Sequence, residues 1–418
     1  MKVLVVGKGG REHALVQAIA DSPTRTEIYA FPGSDAIGAL ASPVEAEGVR
    51  SLVDFMVAEG IGLCVAGEES YLLRDGGLAN ECAARGIACW GPVKISAQLE
   101  GSKAFAKEFM VRHGIPTAGY ARATTEEAAR AAIKSYPCVL KFDGLAAGKG
   151  VAICADQAEA GEFIRAVLGE RIFGEGDLLV EEYLEGPEVS IFVSVVDGDY
   201  QILAPARDYK RIGDGDAGPN TGGMGAVAAR VGLLDAALLK RIEDEAVRPT
   251  VEGLDKDGMP YRGFLYLGLI LTREGPKLLE YNCRFGDPEA EAVMPLIRGD
   301  FAAYLDSAAN GHLQRELISF DDGWSVCVMA ASAGYPASSR SGDAIDGLEA
   351  VEGVQVYHAG TRKRGDGRFE TNGGRVLAVV AQGATREAAV EKAYAESAKI
   401  TFDGVQRRSD IGRLHFGS

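Results

Sequence analysis

The first hundred residues alternate short, mostly apolar runs with amphipathic stretches, and this rhythm limits the fold more than any other feature of the chain. The apolar runs fall at 2–6, 27–31, 62–66 and 87–89, and between them segments such as 11–21 and 72–85 repeat apolar residues at helical spacing. Parallel neighbours need a crossover of a dozen or more residues, usually a helix, and strands covered on both faces read as continuous apolar runs. The pattern therefore predicts an α/β unit over 1–100, a parallel sheet with helices on both faces.

From residue 102 the texture changes. A helix over 102–114 stops at Gly114-Ile115-Pro116, and a second is predicted over 125–135. A strand-loop-strand follows at 138–154, then a helix over 156–169 and a strand at 178–180. Residues 188–205 read as a hairpin turning at Asp197-Gly198, and 263–282 as a longer one turning at Glu274-Gly275-Pro276. Between them 206–226 is expected to be a long Gly/Asp-rich loop, and such loops are rarely kept without function. After about 320 a smaller unit is predicted, with strands at 325–331 and 375–380 and a helix over 385–398. The expected class is multidomain α/β and α+β, divided at about 1–100, 101–320 and 321–418.

Charge excludes several partners. Lys and Arg number 44 against 60 Asp and Glu, a net charge of −16, so the surface repels nucleic acid and anionic membranes. Anionic ligands must be caught by local groups. No run approaches the ~20 apolar residues of a membrane helix, and the start is too short in its apolar part for a signal peptide. The seven cysteines form no C-x-x-C pair and sit in apolar surroundings, as expected of reduced core thiols in a cytoplasmic protein rather than disulfides or zinc ligands.

Three stretches carry chemistry. CVLKFDGLAAGKGV, 138–151, is not a Walker loop, because Gly144 and Gly148 stand one residue too close and Gly150 replaces the hydroxyl. A strand delivering Lys141 to three glycines still suits an anion held by backbone amides; a flexible hairpin tip is the alternative. Gly7-Lys8-Gly9-Gly10-Arg11-Glu12 fails the dinucleotide fingerprint at its third glycine, leaving a tight turn at a helix N-terminus, either a phosphate site with Arg11 or a structural βα turn. Glu280 and Asn282, at i and i+2 on one strand, present a carboxylate and a carbonyl oxygen side by side, hard ligands for Mg²⁺ between nucleotide phosphates, and Arg284 continues that face toward Asp287 and Glu289. VEEYLEGPE, 180–188, is either solvated surface or a linker holding a nucleotide base through its backbone.

Together the lysine strand with its glycine loop, the E-E-Y-L linker and the hairpin ending E-x-N resemble the ATP-grasp ligases. GREHA, SKAFAKEFM, DGDAGPNTGGMGA, EYNCRFGDPE, HAGT and NGGRVL extend the likeness over nearly the whole chain to the phosphoribosylamine–glycine ligase family. The resemblance implies an N-terminal preATP-grasp domain, a central ATP-grasp domain with a mobile lid at about 120–185, and a small C-terminal domain. It implies ATP contacts from Lys103, Lys141, Gly148, Lys149 and Asn220, adenine held by Glu181, Glu182, Tyr183 and Leu184, and ribose by Glu188. Glu280 and Asn282 would bind Mg²⁺ or Mn²⁺. Lys141, Arg284 and Asp287 would be catalytic. Gly9, Gly10, Arg11, Glu12, Glu69, Asp208 and Arg375 would line the substrate site, with Glu68 turned to solvent. The implied reaction joins glycine to 5-phosphoribosylamine through glycyl phosphate, in a cytoplasmic monomer acting on small molecules. Another purine-pathway ATP-grasp ligase or carboxylase, or a non-catalytic nucleotide-binding regulator, are the alternatives. The chain departs from the family pattern at Ser34, Glu68, Phe142 and Tyr209.

Overall fold

The structure is a computed structural model describing residues 1–144 and 150–413. The N-terminal sheet is five-stranded and wholly parallel. Its spatial order is Ser42–Pro43, Glu27–Pro32, Lys2–Gly7, Leu63–Ala66, Ala88–Trp90. The order reverses between Lys2–Gly7 and Leu63–Ala66, and ligands of such sheets bind beyond the carboxyl ends of the strands at that switch point. Val3, Leu4, Val5 and Val6 are wholly buried because helices cover both faces. The four expected strands are present within one residue at either end, with a short fifth at Ser42–Pro43. The helix expected over 72–85 is instead two, Ser70–Leu73 and Leu78–Ala83. Asp75 and Gly77 take positive φ between them, which no helix accommodates.

A second, antiparallel sheet of four strands orders Tyr120–Ala123, Leu178–Glu182, Cys138–Phe142 and Val151–Cys154. It has a core of its own, in which Leu140, Phe142, Ile164 and Leu178 are buried against helices Glu126–Ala132 and Gln157–Ile164. The first of these helices stops three residues short of the expected end, at Ile133, whose backbone is extended.

The largest sheet has nine strands. Its order runs Gly275–Asn282, Arg262–Thr272, Glu188–Val196, Ala206–Asp208, Gly225–Ala229, Trp324–Ala331, Arg375–Gly383 and Gln355–His358, with Asp199–Ile202 paired beside Glu188–Val196. Residues 206–226, expected as a loop, contribute Ala206–Asp208 and the start of Gly225–Ala229 to this sheet. They also form a separate ribbon, Arg211–Gly213 against Ala217–Asn220. Glycines and aspartates here shape tight turns between very short strands instead of open coil. Three strands after residue 320 extend the central sheet rather than forming one of their own.

Candidate active site

The hairpin strand Gly275–Asn282 lies at the edge of the large sheet, and a bulge between Gly268 and Leu269 on its partner's register leaves Leu279 out of the ladder. Leu278, Tyr281 and Cys283 turn into the core, while Glu280, Asn282 and Arg284 share the half-buried face. The period-2 reading of this segment holds. Burial pushes the Glu280 carboxyl up, but Lys210, Lys141 and Lys103 together outweigh it and hold the group below the usual carboxylate range. Those lysines come from three separate elements, so the fold converges positive charge on one carboxylate.

Lys141 enters from the strand Cys138–Phe142. Its Nζ lies 3.1 Å from Glu181 Oε2 and donates to the bulge carbonyl of Leu279 at 3.4 Å. The same Glu181 oxygen is 3.0 Å from Lys107 Nζ, which also donates to Thr117 Oγ1 at 2.8 Å. Thr117 in turn donates to Leu278 O at 2.6 Å. Burial lowers Lys107 to about 8. Lys107 was not singled out from sequence; its signal is the i, i+4 spacing from Lys103 on the helix Lys103–Arg112, which puts both lysines on one face. Lys103 Nζ donates to Gly144 O at 2.9 Å, and Asp143 accepts from Ser102 Oγ and from the Ala104 amide, which docks the start of the glycine loop on that helix's N-terminus. Gly148 and Lys149 lie outside the described residues. Phe142, in the position following the strand lysine, is buried with its ring 5.5 Å from that of Phe173.

In the linker, Glu182 is exposed and accepts from the Gly119 amide at 2.9 Å, Tyr183 is exposed and Leu184 half-buried. Glu188 Oε2 accepts from Lys210 Nζ at 2.6 Å. Asp208, on the neighbouring strand, is pushed by burial up to about 7 despite Lys210. Asn220 is exposed at the end of the ribbon, opposite Arg211. Tyr209 points away from these residues, buried under the guanidinium groups of Arg207 and Arg408 with its hydroxyl accepting from the Gly412 amide.

The second half of the site sits at the switch point of the parallel sheet. Helix Gly10–Ala20 begins there, and Glu12 folds back on its own N-terminus: Gly9 N–H donates to Oε2 at 2.7 Å and Arg11 Nε to Oε1 at 2.5 Å. Gly67 is required beneath it, since a Cβ there would stand 2.6 Å from Glu12 Cγ. Glu12, expected to contact substrate, is thus 2% exposed and engaged in shaping the turn. Arg284 Nε donates to Glu69 Oε2 at 3.0 Å, and its Nη2 is 2.7 Å from Glu100 Oε1. Glu68, expected to face solvent, is half-buried and accepts from Ser70 Oγ at 2.7 Å. Glu100 had no signal in the sequence beyond lying just before the lysine helix. Arg375 closes the far side: its Nη2 is 2.9 Å from Asp287 Oδ1, and its Nη1 donates to the carbonyls of Gly222 and Asp287. Ser34 does local work, its Oγ accepting from the Ile37 amide. His13 is buried, its Nδ1 accepting from the amide of His358, whose ring lies 5.7 Å from its own.

A clamp of lysines on a strand-end carboxylate, joined to a glycine turn at a sheet's switch point, matches what comparison with known proteins finds. The phosphoribosylglycinamide synthetase N-domain profile matches residues 1–100, its ATP-grasp (A) domain profile 101–290 and its C-domain profile 325–414. A phosphoribosylamine–glycine ligase of Caldanaerobacter subterraneus is 43% identical, covering 98% of this chain and 99% of the relative. The chain belongs to the phosphoribosylamine–glycine ligase family. The crystal structure of a phosphoribosylamine–glycine ligase from Thermotoga maritima superposes with a TM-score of 0.86 at 37% identity, covering 98% of this chain and all of that one. The biotin carboxylase domain of a Hydrogenobacter thermophilus 2-oxoglutarate carboxylase, solved with magnesium ADP and bicarbonate, reaches a TM-score of 0.74 over 97% of this chain and 91% of its own. At 20% identity it shares the fold alone. The lysine cluster lies within the stretch matched by the ATP-grasp domain profile, and the other at the carboxyl edge of the N-terminal sheet.

Proposed function

We propose that the chain ligates glycine to 5-phosphoribosylamine with ATP, giving glycinamide ribonucleotide, ADP and phosphate. The observation that carries this reading is the convergence of Lys103, Lys141 and Lys210 on Glu280, beside family membership over nearly the whole length. An ionised carboxylate among lysines, with the Asn282 carbonyl next to it on the same face, is a hard-oxygen set that fits Mg²⁺ or Mn²⁺. Bound there, the metal would neutralise charge on the nucleotide's terminal phosphates.

Lys103 and Lys141 would stabilise the charge that develops on the transferred phosphoryl group. Backbone groups of Glu181–Leu184 would hold adenine and Glu188 the ribose. A glycine carboxylate oxygen attacks the γ-phosphorus, the bond to the β,γ-bridging oxygen breaks, and ADP leaves. The amine of phosphoribosylamine then attacks the carbonyl carbon of glycyl phosphate, loses a proton and expels inorganic phosphate. The turn at Gly9–Gly10, opening a helix N-terminus, together with Arg375 suits the sugar phosphate, and Glu69, held by Arg284, suits its hydroxyls. Arg284 and Asp287 align the two halves of the site. The proposed setting is the cytoplasm, as a monomer; no helix among the described residues is long and apolar enough to cross a membrane.

The test is isotopic. Glycine labelled with ¹⁸O in its carboxylate should deliver one labelled oxygen to phosphate per turnover, with release of ADP dependent on both glycine and phosphoribosylamine. Unlabelled phosphate, or label in AMP, would overturn the acyl-phosphate route.

A further inference from the structure

Seven cysteines lie scattered along the sequence, yet the fold brings three of them together. Cys64 on Leu63–Ala66 and Cys89 on Ala88–Trp90 are direct neighbours across the parallel ladder. Cys82 reaches them from helix Leu78–Ala83. The three Sγ atoms all lie within 4.8 Å of one another, and no His, Asp or Glu completes the group among the described residues. Cys64 and Cys82 are wholly buried and Cys89 is 9% exposed, within an apolar cluster that includes Val53, Leu72 and Leu78.

We propose that Cys64, Cys82 and Cys89 form a three-sulfur binding site for trivalent arsenic. Donor number and charge select the guest. Mg²⁺ and Ca²⁺ require oxygen ligands, and structural Zn²⁺ takes a fourth ligand that this cluster lacks. Three thiolates around Cu⁺ or Zn²⁺ leave net negative charge in an apolar core, which is costly, whereas three around As(III) leave none. The exchange is balanced without a redox step: As(OH)₃ and three thiols give the tris-thiolate and three waters. For arsenic–sulfur bonds of about 2.3 Å in a pyramid with angles of about 95–100°, the three sulfurs stand about 3.5 Å apart, so the observed cluster needs to contract by up to about 1.3 Å.

Access exists as well. Cys89 lines a cleft of about 660 Å³ together with Ala83, Ile87, Val251, Leu254 and Met259. Arsenous acid is small and uncharged at neutral pH, and such a lining does not exclude it.

The experiment uses the reduced full-length chain with sodium arsenite under anaerobic conditions, read by native mass spectrometry and arsenic K-edge absorption. One arsenic per chain is expected, with the mass of the atom less three hydrogens, three sulfur neighbours and no oxygen. That adduct should vanish in Cys82→Ala and persist in Cys138→Ala, which removes one partner of the cross-strand thiol pair Cys138 and Cys154. The absorption measurement on the unaltered chain needs no variant to fold. Absence of an adduct, an adduct retaining oxygen, its survival in Cys82→Ala, or its loss in Cys138→Ala would each overturn the site.

Discussion

Arg284 holds two carboxylates of opposite character. Glu69 is raised by burial but lowered more by Arg284 and Arg11, ending at about 2. Glu100 is carried by burial up to about 7, against the pull of the same Arg284. The signs follow. Glu69, with its folded value depressed, contributes stability that is present above pH 4.5 and lost as pH falls toward 2. Glu100, with its folded value raised, contributes stability present below pH 4.5 and lost as pH rises through about 7. Glu100→Gln, which keeps an acceptor for the Cys283 amide, should therefore gain stability relative to the wild type between pH 5 and pH 8; thermal melts at both pH values check it. Glu280→Gln should lower turnover by about 10²-fold or more while the melting midpoint stays near that of the wild type, because on the proposed reading the carboxylate holds the metal that neutralises the phosphates and sits in a half-buried cleft. Coupled ADP release and a melt separate this from a structural role, for which the midpoint would collapse and the surviving folded fraction would keep full rate. The alternation at Glu280, Asn282 and Arg284 was legible because strand period alone fixes it. Glu100 and Lys107 were not, because their partners Arg284 and Glu181 lie far along the chain and only tertiary structure joins them.

Elements show a similar division. The strands of the first hundred residues were readable because burial on both faces forces unbroken apolar runs. The helix over 72–85 was misread because its apolar spacing continues across Asp75-Gly76-Gly77 while the backbone does not. The stretch 206–226 was misread because strands of three to five residues are too short to display a period. The four-stranded sheet over 120–182 has its own small core, and Phe142 fills its edge. An added Cβ on Gly176 would stand 2.5 Å from the Phe142 ring, so the glycine and the phenylalanine fit as a pair. Phe142→Ala should cost about 3–5 kcal/mol in this sub-core. Hydrogen exchange should then show 120–182 losing protection while the strands at 188–196 and 262–272 keep theirs. Uniform loss across both regions would mean the two sheets unfold as one unit.

At the scale of the whole molecule, the sequence signals a new unit near residue 320 but cannot signal that its strands join an existing sheet, since pairing partners leave no local mark. Trp324–Ala331 lies directly against Gly225–Ala229, all five residues of which are buried. A chain ending at 320 would bare that strand's backbone edge, and open apolar edges pair with one another. Residues 1–320 alone should aggregate, and co-expression with 321–418 should restore a soluble complex; a soluble, ATP-binding 1–320 fragment would refute this. The same pairing places a demand on synthesis. Residue 229 leaves the ribosome well before residue 324 is made, an interval of roughly 5–20 s at ordinary elongation rates. Through that interval the nascent sheet stands half built, so slow translation across this stretch, or a chaperone occupied elsewhere, would limit the yield of active molecules even though no residue of the finished site is at fault.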